Sequence, residues 1–491
     1  MLGGCPLESI DPMTIEPQGG CDATKHPSAA QRAWDGLVGA AAQGVAAMSR
    51  SIGAGAGMSA PGVVIDRLDP GFVQRRGRTL SATTTLVSGT NGKTTTAAML
   101  VAILEAAGRR VLTNGSGANL FRGVAASLAT ARGEDAAVFE VDEAALPRVA
   151  GAIEPQVLVL TNVFRDQLDR FAEPELVARL LSESARVLPE GSRIVANADD
   201  PLLWNAVEDL EPTGFGVRFS GSARSSRRHD ADPEICPRCG GAVRYRRRTF
   251  GHLGACHCAT CGWASSDPAF LVDVIEDDRI DRLHLSIEGL TCELAVGGTH
   301  NAYNAAAAVA AASFLGIPPS TSIDALASFV PKFGRAERLS FDDRALWVLL
   351  AKNPVSCSTA TRQVLSDPRI RAVVILVNDH VADGRDVSWI WDAGLEAFVG
   401  VDVPILAGGS RADDVALRFR YAGGAVEVVD PDIESLLRKL RAITKPSEDI
   451  AVLATYTAML ELRRALLGSR RAQVSDTTPE GEGRLVEGVH R

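Results

Sequence analysis

The hydrophobic positions of this chain form short apolar runs, separated by amphipathic segments and arranged in two blocks. In the first block, between residues 83 and about 327, the predicted strands cover residues 84–87, 136–141, 157–161 and 194–196. A predicted helix over residues 95–107 follows the first strand. Because strands alternate with helices, the pattern predicts an α/β fold with a mostly parallel sheet and with functional groups at the carboxyl ends of its strands.

A second, smaller alternating block follows Pro331. Its predicted strands cover residues 346–350, 372–377, 404–407 and 451–453, and its predicted helices include residues 433–443 and 457–467. The pattern therefore predicts a central domain over residues 34–330 and a C-terminal α/β domain over residues 331–467. We expect the polar segments 1–33 and 468–491 to be disordered tails.

The alternation is interrupted between residues 220 and 268, where the chain becomes rich in arginine and cysteine. Four cysteines form two Cys-x-x-Cys units with 18 residues between them, namely Cys236 with Cys239 and Cys258 with Cys261. Two such units offer four thiolates in a tetrahedral array, which is typical of a closed structural zinc site. We predict a zinc ribbon inserted over about residues 232–268, with Cys256 and His257 as second choices for ligands.

Composition narrows the function. The 491 residues carry a net charge of −9, whereas a general nucleic-acid binder would carry a basic surplus, so no nucleic-acid partner is expected. The basic run at residues 244–248 is predicted to be a solvated hairpin. Nine cysteines, four of them spaced as metal ligands, favour the reducing cytoplasm over a disulfide scaffold. No apolar run is long enough to cross a membrane, and the N-terminus does not resemble a secretion signal.

The most informative motif follows the first predicted strand and reads Gly89-Thr90-Asn91-Gly92-Lys93-Thr94. Its glycines let the backbone curl so that successive amides face inward, Lys93 adds a mobile cation, and Thr94 offers a hydroxyl to a nucleotide-bound Mg²⁺. In the usual phosphate loop four residues lie between the first glycine and the Gly-Lys pair, and here Val87 stands at that first position. The flanking strand and helix favour a nucleoside triphosphate site over a chance turn.

Acidic and amide side chains follow the next predicted strands. Glu140 closes an apolar strand, where a carboxylate is placed to hold Mg²⁺ directly or through water. A helix-capping role is the alternative, since two more acids follow. Asp166, Gln167 and Asp169 lie on the same rim, and a solvated helix start explains them as well as a site does.

Two later segments carry groups that would complete a nucleotide site. Asn301 and Asn304 lie in the first turn of an alanine-rich predicted helix, where their amides would read the edge of adenine. A plain helix cap, which Asn301 alone would supply, is the alternative. Arg335 lies at the domain junction and would reach the triphosphate when the domains close, unless it is an ordinary surface arginine.

A cluster of titratable groups follows the predicted strand at residues 372–377. Asp379, His380, Asp383 and Asp386 surround a glycine turn. Four such groups at one strand end indicate a functional site.

Several of these motifs occur together, and in this order, in one known family. GTNGKTTT, EVDEA, TNVFRDQLDR, NADDP, GGTHNAYNAAAA and FGRAER resemble the central domain of the Mur ligases. The segments HLGACHCATCGW, AKNP and NDHVADGRDVSWIWD narrow the resemblance to the MurT family, the ligase subunits of glutamine-hydrolysing lipid II isoglutaminyl synthases. The resemblance covers roughly residues 34–467.

The resemblance implies an ATP-dependent carbon–nitrogen ligase. ATP would phosphorylate the α-carboxyl of D-glutamate in the stem peptide of lipid II, and ammonia would displace phosphate from this acyl phosphate to give D-isoglutamine. The ammonia would come from a partner glutaminase of the GatD type, in a heterodimer that works in the cytoplasm at the inner face of the membrane. Phosphorylation is needed because a carboxylate has no good leaving group.

The resemblance also implies roles for individual residues. The nucleotide would be bound by Gly89, Thr90, Asn91, Gly92, Lys93, Thr94, Thr95, Asn301, Asn304 and Arg335, with the two asparagines facing adenine. Thr94 and Glu140 would hold Mg²⁺, and Lys93 would offset charge on the transferred phosphoryl group. One aspartate of the glycine turn would cross the subunit interface and complete a triad with the partner's Cys–His pair. We choose Asp383 over Asp386 for this role.

Some positions depart from the family pattern. Gln167 stands where amino-acid-adding Mur ligases commonly have histidine, and no lysine lies between Lys93 and Lys332, so no carbamylated lysine can form there. The loss of that group fits ammonia as the nucleophile. Residues 356–358 and His380 also differ from the expected residues, which affects contacts around the incoming ammonia.

Two alternative functions remain. One is a Mur or folylpolyglutamate-type ligase that adds an amino acid; the missing lysine and the cysteine ribbon argue against it. The other is a non-catalytic, nucleotide-dependent scaffold, against which the intact Gly-Lys-Thr motif and Glu140 argue.

Overall fold

The computed structural model describes residues 29–51, 59–80, 83–114, 118–165, 173–220, 235–330 and 335–468. The described chain opens with the helices α1 (Ala29–Ser51), α2 (Ser59–Leu68) and α3 (Phe72–Thr79). Arg75 of α3 pairs with Asp35 of α1 and with Asp69, which joins the three helices. Helix α1 begins inside the segment expected to be a tail, whereas residues 1–28 and 469–491 lie outside the described part of the chain.

A nine-stranded sheet forms the framework of the central domain. Its parallel part has the strand order β2 (Val111–Thr113), β3 (Ala136–Glu140), β1 (Thr83–Ser88), β4 (Val157–Leu160), β5 (Arg193–Asn197), β6 (Thr213–Phe219) and β9 (Phe270–Glu276). The antiparallel strands β10 (Leu283–Ile287) and β11 (Leu290–Leu294) extend it. The predicted mostly parallel α/β sheet is confirmed. The apolar-run pattern missed β10 and β11 because their side chains alternate between buried and more exposed positions.

The remaining helices of the central domain are α4 (Lys93–Ala106), α5 (Phe121–Leu128), α6 (Leu146–Ile153), α7 (Pro174–Arg186), α8 (Pro201–Val207), α9 (Thr299–Phe314) and α10 (Pro319–Ala327). Helix α9 is buried from Asn301 to Ala312 and contacts α4 and the strands β4, β5, β6 and β9. Its alanines let the helix approach the sheet closely. This close approach brings the first turn of α9 to the phosphate loop.

A six-stranded sheet forms the C-terminal domain. Its order is β12 (Arg335–Phe341), β13 (Arg344–Leu350), β17 (Asp449–Ala454), β14 (Ile370–Leu376), β15 (Ile405–Gly408) and β16 (Val428–Asp430), and β12 alone runs antiparallel to its neighbour. Its helices are α11 (Pro354–Ser366), α12 (Ala412–Tyr421), α13 (Ile433–Ile443) and α14 (Tyr456–Gly468). The predicted second α/β block is confirmed.

The two domains share a bonded interface. The backbone of Ile280, between β9 and β10, is held from the C-terminal domain on both sides: its N–H donates to Asp367 Oδ2 (3.1 Å) and its carbonyl accepts from Gln363 Nε2 (3.2 Å). Arg369 also pairs with Asp281 (2.7 Å). These contacts fix where the C-terminal domain sits relative to the first sheet.

The cysteine-rich insertion contains the hairpin β7 (Val243–Phe250) and β8 (Leu253–Cys258), and it leaves the sheet between the neighbouring strands β6 and β9. The basic run on β7 is not wholly solvated, which corrects the sequence prediction: Arg247 forms an ion pair with the fully buried Asp199. None of the helices in the described part of the chain combines the length and apolar character needed to span a bilayer.

Candidate active site

The loop between β1 and α4 depends on two glycine conformations. Gly89 (φ +125°) and Gly92 (φ +85°) both adopt backbone angles that L side chains rarely adopt. A Cβ at Gly89 would lie 2.8 Å from the carbonyl oxygen of Asn162, and a Cβ at Gly92 would collide with Oδ1 of Asn304. The strand, the glycine-hinged curl and the helix start therefore follow one another as the motif predicts.

The end of β4 holds this loop in place. Asn162 Oδ1 accepts from the N–H of Asn91 (2.9 Å), and Asn162 Nδ2 donates to the carbonyl of Asn91 (3.0 Å). The hydroxyl of Thr161 donates to the same carbonyl (2.8 Å), and the N–H of Thr90 donates to the carbonyl of Asn162 (2.8 Å). Sequence reasoning did not assign Thr161 and Asn162 to the loop, although a polar pair directly after a buried strand was an available signal.

Lys93 begins α4, and its ammonium group lies inside the loop. Its Nζ donates to the carbonyl of Gly89 (2.5 Å) and pairs with Glu143 Oε2 (3.0 Å). Burial alone would lower the pKa of Lys93, but the carboxylates of Glu143, Glu140 and Asp142 outweigh it and hold the pKa above its ordinary value. The lysine is therefore charged at neutral pH.

Glu140 ends β3 in parallel register with Val87 of β1. The amide of Asn114 fixes its backbone, accepting from the N–H of Glu140 (3.0 Å) and donating to its carbonyl (2.7 Å). The predicted carboxylate thus lies at the strand end beside the loop. Glu143, which pairs with the lysine, was not assigned from the sequence, where it was read only as a neighbouring acid.

Asn301 and Asn304 lie in the first turn of α9, and both are nearly fully buried. Asn304 Oδ1 accepts from the hydroxyl of Thr96 on α4 (3.2 Å), and its Nδ2 donates to Asn301 Oδ1 (3.0 Å). Asn301 Nδ2 donates to the carbonyl of Gly297 (2.7 Å). The pair ties α9 to the helix that follows the phosphate loop, and an adenine contact stays a prediction.

One residue of the C-terminal domain reaches the loop. Asn353 is fully buried, and its Nδ2 donates to Asn91 Oδ1 (3.3 Å). Its Oδ1 accepts from the N–H of Ser356 (2.8 Å), and the two residues form a capping box at the start of α11. Ser356, one of the departures from the family pattern, therefore has a structural role in this chain.

Four other residues predicted at or near this site have no described side chain. Arg335 begins β12, and nothing is described of its side chain. Asp166, Gln167 and Asp169 lie outside the described residues.

The acidic turn after β14 separates its two candidate aspartates. Asp383 is 4% exposed, and its carboxylate accepts from both the N–H (2.8 Å) and the hydroxyl of Thr457. Asp386 is exposed and accepts from the N–H of Ser388 (2.8 Å), and hydrogen bonding to Ser388 lowers the pKa of Asp386. Asp383 is thus fixed by its own chain, whereas Asp386 faces solvent.

Asp379 and His380 lie at the same edge of the C-terminal sheet. Asp379 accepts from the hydroxyl of Ser410 (2.8 Å) and pairs with Arg411 (2.9 Å), and these contacts lower its pKa. His380 lies 3.5 Å from Glu461. Both groups contact neighbours on their own domain.

The four predicted cysteines come together. The sulfurs of Cys236, Cys239, Cys258 and Cys261 all lie within 4.8 Å of one another, and two of the Sγ–Sγ distances are 3.6 Å. Four sulfurs around Zn²⁺ at about 2.3 Å stand about 3.8 Å apart, so the cluster fits that ion. The two units have matching backbone turns: the N–H of Gly240 donates to the carbonyl of Cys236 (2.9 Å), and the N–H of Gly262 to that of Cys258 (3.0 Å).

The fold and the phosphate loop together define a ligase of the Mur type. Residues 87–233 match the family profile "Mur ligase middle domain", and residues 350–459 match "MurT ligase C-terminal". Among solved structures, a pseudomurein peptide ligase type C from Methanothermus fervidus aligns with a TM-score of 0.63 and 21% identity, covering 81% of each chain. MurF ligase from Thermotoga maritima, solved in complex with ADP, aligns with a TM-score of 0.57 and 17% identity, covering 83% of this chain and 85% of that one.

A sequence relative defines the family more closely. The MurT subunit of the glutamine-hydrolysing lipid II isoglutaminyl synthase from Streptococcus pneumoniae is 34% identical over 85% of this chain and 94% of its own length. The chain belongs to the MurT family of the Mur ligases, and it is an ATP-dependent ligase by that membership.

Proposed function

We propose that this chain is the ligase subunit of a glutamine-dependent enzyme that amidates lipid II. Its product would be the D-isoglutamine form of the stem peptide, made at the cytoplasmic face of the membrane. The observation that carries the proposal is the charged Lys93 inside the loop at residues 89–94, beside Glu140 and Glu143, in a member of the MurT family. These groups match the needs of phosphoryl transfer.

In the first proposed step, an oxygen of the D-glutamate α-carboxylate attacks the γ-phosphorus of ATP. The bond from that phosphorus to the β,γ-bridging oxygen breaks, ADP leaves, and an acyl phosphate forms. Negative charge spreads over the transferred group, and the ammonium group of Lys93 would offset it. Thr94 and Glu140 would hold Mg²⁺, which would supply positive charge to offset that of the triphosphate.

The remaining nucleotide contacts are proposed from the same site. Thr95 lies in the first turn of α4 behind the loop. Asn304, which bonds Asn301, lies against Gly92, so adenine would bind at the first turn of α9. Arg335 would add charge at the domain junction. Asn353 already contacts Asn91 of the loop, which supports a site completed by both domains.

In the second proposed step, ammonia attacks the carbonyl carbon of the acyl phosphate. The C–O bond to phosphate breaks, and inorganic phosphate leaves with the oxygen that came from the carboxylate. The newly attached nitrogen then loses a proton to water, which gives the amide. No lysine lies between Lys93 and Lys332 to form a carbamate, which fits ammonia rather than an amino acid as the nucleophile.

A glutaminase of the GatD type is the proposed source of ammonia. Asp383 would orient the histidine of that partner's Cys–His pair, as the buried aspartate of a catalytic triad does. The burial of Asp383 and its two bonds to Thr457 support this choice over Asp386, because an orienting carboxylate must itself be held still. Val381, two residues earlier, is 82% exposed, so the turn reaches the surface that a partner would cover.

The cysteine cluster is proposed to hold a structural Zn²⁺. All four positions are filled by thiolates, so no position stays open for a reacting water or substrate. Its expected contribution is to folding rather than to either chemical step.

Oxygen tracing tests the core of the proposal. Lipid II carrying ¹⁸O in the α-carboxyl of D-glutamate is incubated with ATP and ammonium chloride, and the released phosphate is examined by mass spectrometry. We expect ¹⁸O in phosphate together with amidated lipid II, and neither with Lys93→Ala. Amide formation without ¹⁸O in phosphate would overturn the acyl phosphate. ATP hydrolysis without any amide would favour the scaffold or an amino-acid-adding ligase.

A further inference from the structure

The cysteine-bearing hairpin has two ends with different surroundings. At one end Val243 pairs with Cys258, next to the four-cysteine cluster. At the other end the chain turns at Gly251, and Phe250 pairs with Leu253. Residues 249–252, here called the hairpin tip, lie away from the metal site and are buried in the central domain.

The middle of the hairpin is bonded to the sheet. Arg247 pairs with Asp199, which follows β5 and is fully buried. The same carboxylate accepts from the hydroxyl of Tyr303 on α9 (2.8 Å) and from the N–H of Val217 on β6 (2.9 Å). Without Arg247 the buried carboxylate of Asp199 would lack its counter-charge, so this ion pair anchors the hairpin to the sheet.

The hairpin tip packs against the support of the phosphate loop. The ring of Phe164, which follows β4, lies 5.6 Å from the ring of Phe250 and 4.4 Å from that of His252, centre to centre. The backbone of Phe164 brackets Thr90: its N–H donates to Thr90 Oγ1 (3.1 Å), and its carbonyl lies 3.4 Å from the same oxygen. One residue therefore touches the hairpin tip with its side chain and the loop with its backbone.

A second path runs through Asp200. His252 Nε2 lies 3.5 Å from Asp200 Oδ2, and that oxygen accepts from the N–H of Val163 (2.7 Å). Asp200 also caps α8. Val163 is thus bonded to a group that contacts the hairpin tip, and the next residue, Phe164, contacts the tip itself.

The C-terminal domain meets the hairpin tip from the other side. The guanidinium of Arg362, on α11, lies 5.3 Å from the ring centre of Phe250. Helix α11 begins beside Asn353, the residue that bonds Asn91 of the loop. Phe250 therefore lies between the loop's support and the helix that brings the second domain to the loop.

From these contacts we propose that the hairpin tip is a positioning element of the nucleotide site, in which Phe250 acts on Thr90 through Phe164. The four cysteines hold one end of the hairpin in place, and the hairpin tip at the other end supports the loop. The inference rests on the proposed function in one respect, namely that the loop at residues 89–94 binds the triphosphate. The cysteine-bearing insertion would thus support the nucleotide site of its own chain rather than serve as a separate module that docks another protein.

The test compares Phe250→Leu, Phe164→Leu and the double variant with the wild-type chain. Phe215→Leu is the matched control, because it makes the same change at a buried position on β6, away from the loop. Affinity for a non-hydrolysable ATP analogue with Mg²⁺ is measured by calorimetry. Bound zinc and the melting temperature of each protein are recorded alongside.

We expect Phe250→Leu and Phe164→Leu each to weaken nucleotide binding about tenfold, as removal of a supporting residue behind a binding group typically does. The double variant should lose no more affinity for nucleotide than the weaker-binding single variant does, because both changes break the same contact between Phe250 and Phe164. Zinc content should stay at the wild-type level, and Phe215→Leu should bind as the wild type does. Unchanged binding in Phe250→Leu, additive losses in the double variant, or an equal loss in Phe215→Leu would each overturn the proposal.

Hydrogen exchange without nucleotide separates this inference from the proposed function. Amides of residues 161–165 should exchange faster in Phe250→Leu than in the wild type and in Phe215→Leu, since the bond from Phe164 to Thr90 opens more often. If the wild-type chain bound no ATP analogue while this difference in exchange was present, the nucleotide site would be refuted. The contact from the hairpin tip to the loop through Phe164 would still be supported. Equal exchange in all three proteins would show that Phe250 does not support the loop through Phe164.

Discussion

The two sheets of this chain both carry functional groups at their carboxyl ends, but the two edges are built differently. Beside β1 and β3, the phosphate loop is bonded to its own chain: Lys93 to Glu143, Asn91 to Asn162 and to Asn353. Beyond β14, the acidic turn holds Asp383 inside and leaves Val381 and Asp386 exposed. Residues of this chain alone hold the groups of the first edge in place. We infer that the second edge contributes the carboxylate of Asp383 to a site on another protein.

The difference follows from what each edge would bind. A triphosphate is small and is gripped by backbone amides and one ammonium group, so the loop must be held rigidly before the ligand arrives. A protein partner brings its own rigid groups and needs an exposed surface with one fixed acid. Changes in the first edge should therefore affect every reaction of the enzyme, and changes in the second only the reaction that uses glutamine.

The largest difference between the two edges is expected when the buried acid of the second edge, Asp383, is replaced. In the proposed complex with a glutaminase, Asp383→Asn should lower glutamine-driven amidation about 10³–10⁴-fold, as loss of an orienting triad acid does, and leave ammonium-driven amidation unchanged. Both rates are measured with lipid II and ATP. Asp386→Asn is the control and should retain most of the glutamine-driven rate. A larger loss in Asp386→Asn would reassign the acid, and an equal loss with ammonium would mean that Asp383 only supports the fold.

The corresponding change at the first edge is Lys93→Met, which keeps most of the side-chain volume. Amidation with either nitrogen source should fall about 10²–10³-fold, because a positioned charge at the transferred phosphoryl group is lost. Lys445→Met removes an exposed lysine and should have no effect. Initial rates of phosphate release report the result. Retention of ammonium-driven turnover in Lys93→Met would place the nucleotide elsewhere.

Removal of zinc from the four-cysteine cluster should lower the stability of the fold rather than act on one of the two edges alone. Chelation under reducing conditions is expected to lower the melting temperature by ~5–10 °C, since metal binding contributes directly to the folding free energy. Cys239→Ser should have a similar effect, and Cys292→Ser, outside the cluster, should not. Calorimetry with zinc analysis gives both quantities. An unchanged melting temperature after complete zinc loss would contradict the structural role.

Asn353 connects the two domains and offers a finer test. Asn353→Ala removes a helix cap and the contact with Asn91, and it should cost about 1 kcal/mol of unfolding free energy. Asn353→Ser keeps a neutral oxygen for the cap but has no amide N–H for Asn91, so its stability should exceed that of Asn353→Ala while the affinity for nucleotide falls. Denaturant titration and nucleotide binding distinguish the two. Equal stability of both variants would mean that the cap contributes nothing.

The smallest effect is expected far from both edges, at His284 on β10. Glu293 and Glu276 bond its two ring nitrogens and raise its pKa, while partial burial opposes them. A raised folded-state pKa stabilises the fold below the ordinary value of about 6.5, and this stability is lost as the pH rises through the folded-state pKa. His284→Gln should abolish that decline, which is expected to stay under about 1 kcal/mol because the group is partly exposed. Denaturant unfolding at pH 6 and pH 8.5 measures it, and an identical pH dependence in both proteins would exclude His284 as its source.

Much of the framework could be predicted because its signals are local. The helix at Ile433–Ile443 lies where the spacing of apolar residues predicts it. The strands β1, β3 and β4 lie on short apolar runs, which are typical of buried strands. The four cysteines were predicted as a set because metal ligation imposes a short, fixed spacing. By contrast, β10 and β11 were missed, since a half-exposed strand has no continuous apolar run.

The candidate site was predicted less completely than the fold. The loop residues 89–94 and Glu140 lie together, yet the groups that hold them in place, Thr161, Asn162 and Glu143, were not assigned. Their roles depend on strand neighbours far apart in sequence. A polar pair directly after a buried strand marks Thr161 and Asn162 as candidates, but it does not indicate which loop they hold. The solvated hairpin was wrong at Arg247 for the same reason, because its partner Asp199 is reached only through the fold.

The α/β class, the glycine-hinged loop and the four-cysteine cluster could be predicted without a structure, because each is encoded in contiguous residues whose geometry is set by backbone angles or by ligand spacing. Long-range packing settles which carboxylate meets Lys93, which of the two aspartates in the acidic turn is buried, and that the hairpin tip reaches Phe164 beside the loop. Those outcomes depend on parallel strand register and on the packing of one element against another, and long-range packing leaves no short-range mark on the chain.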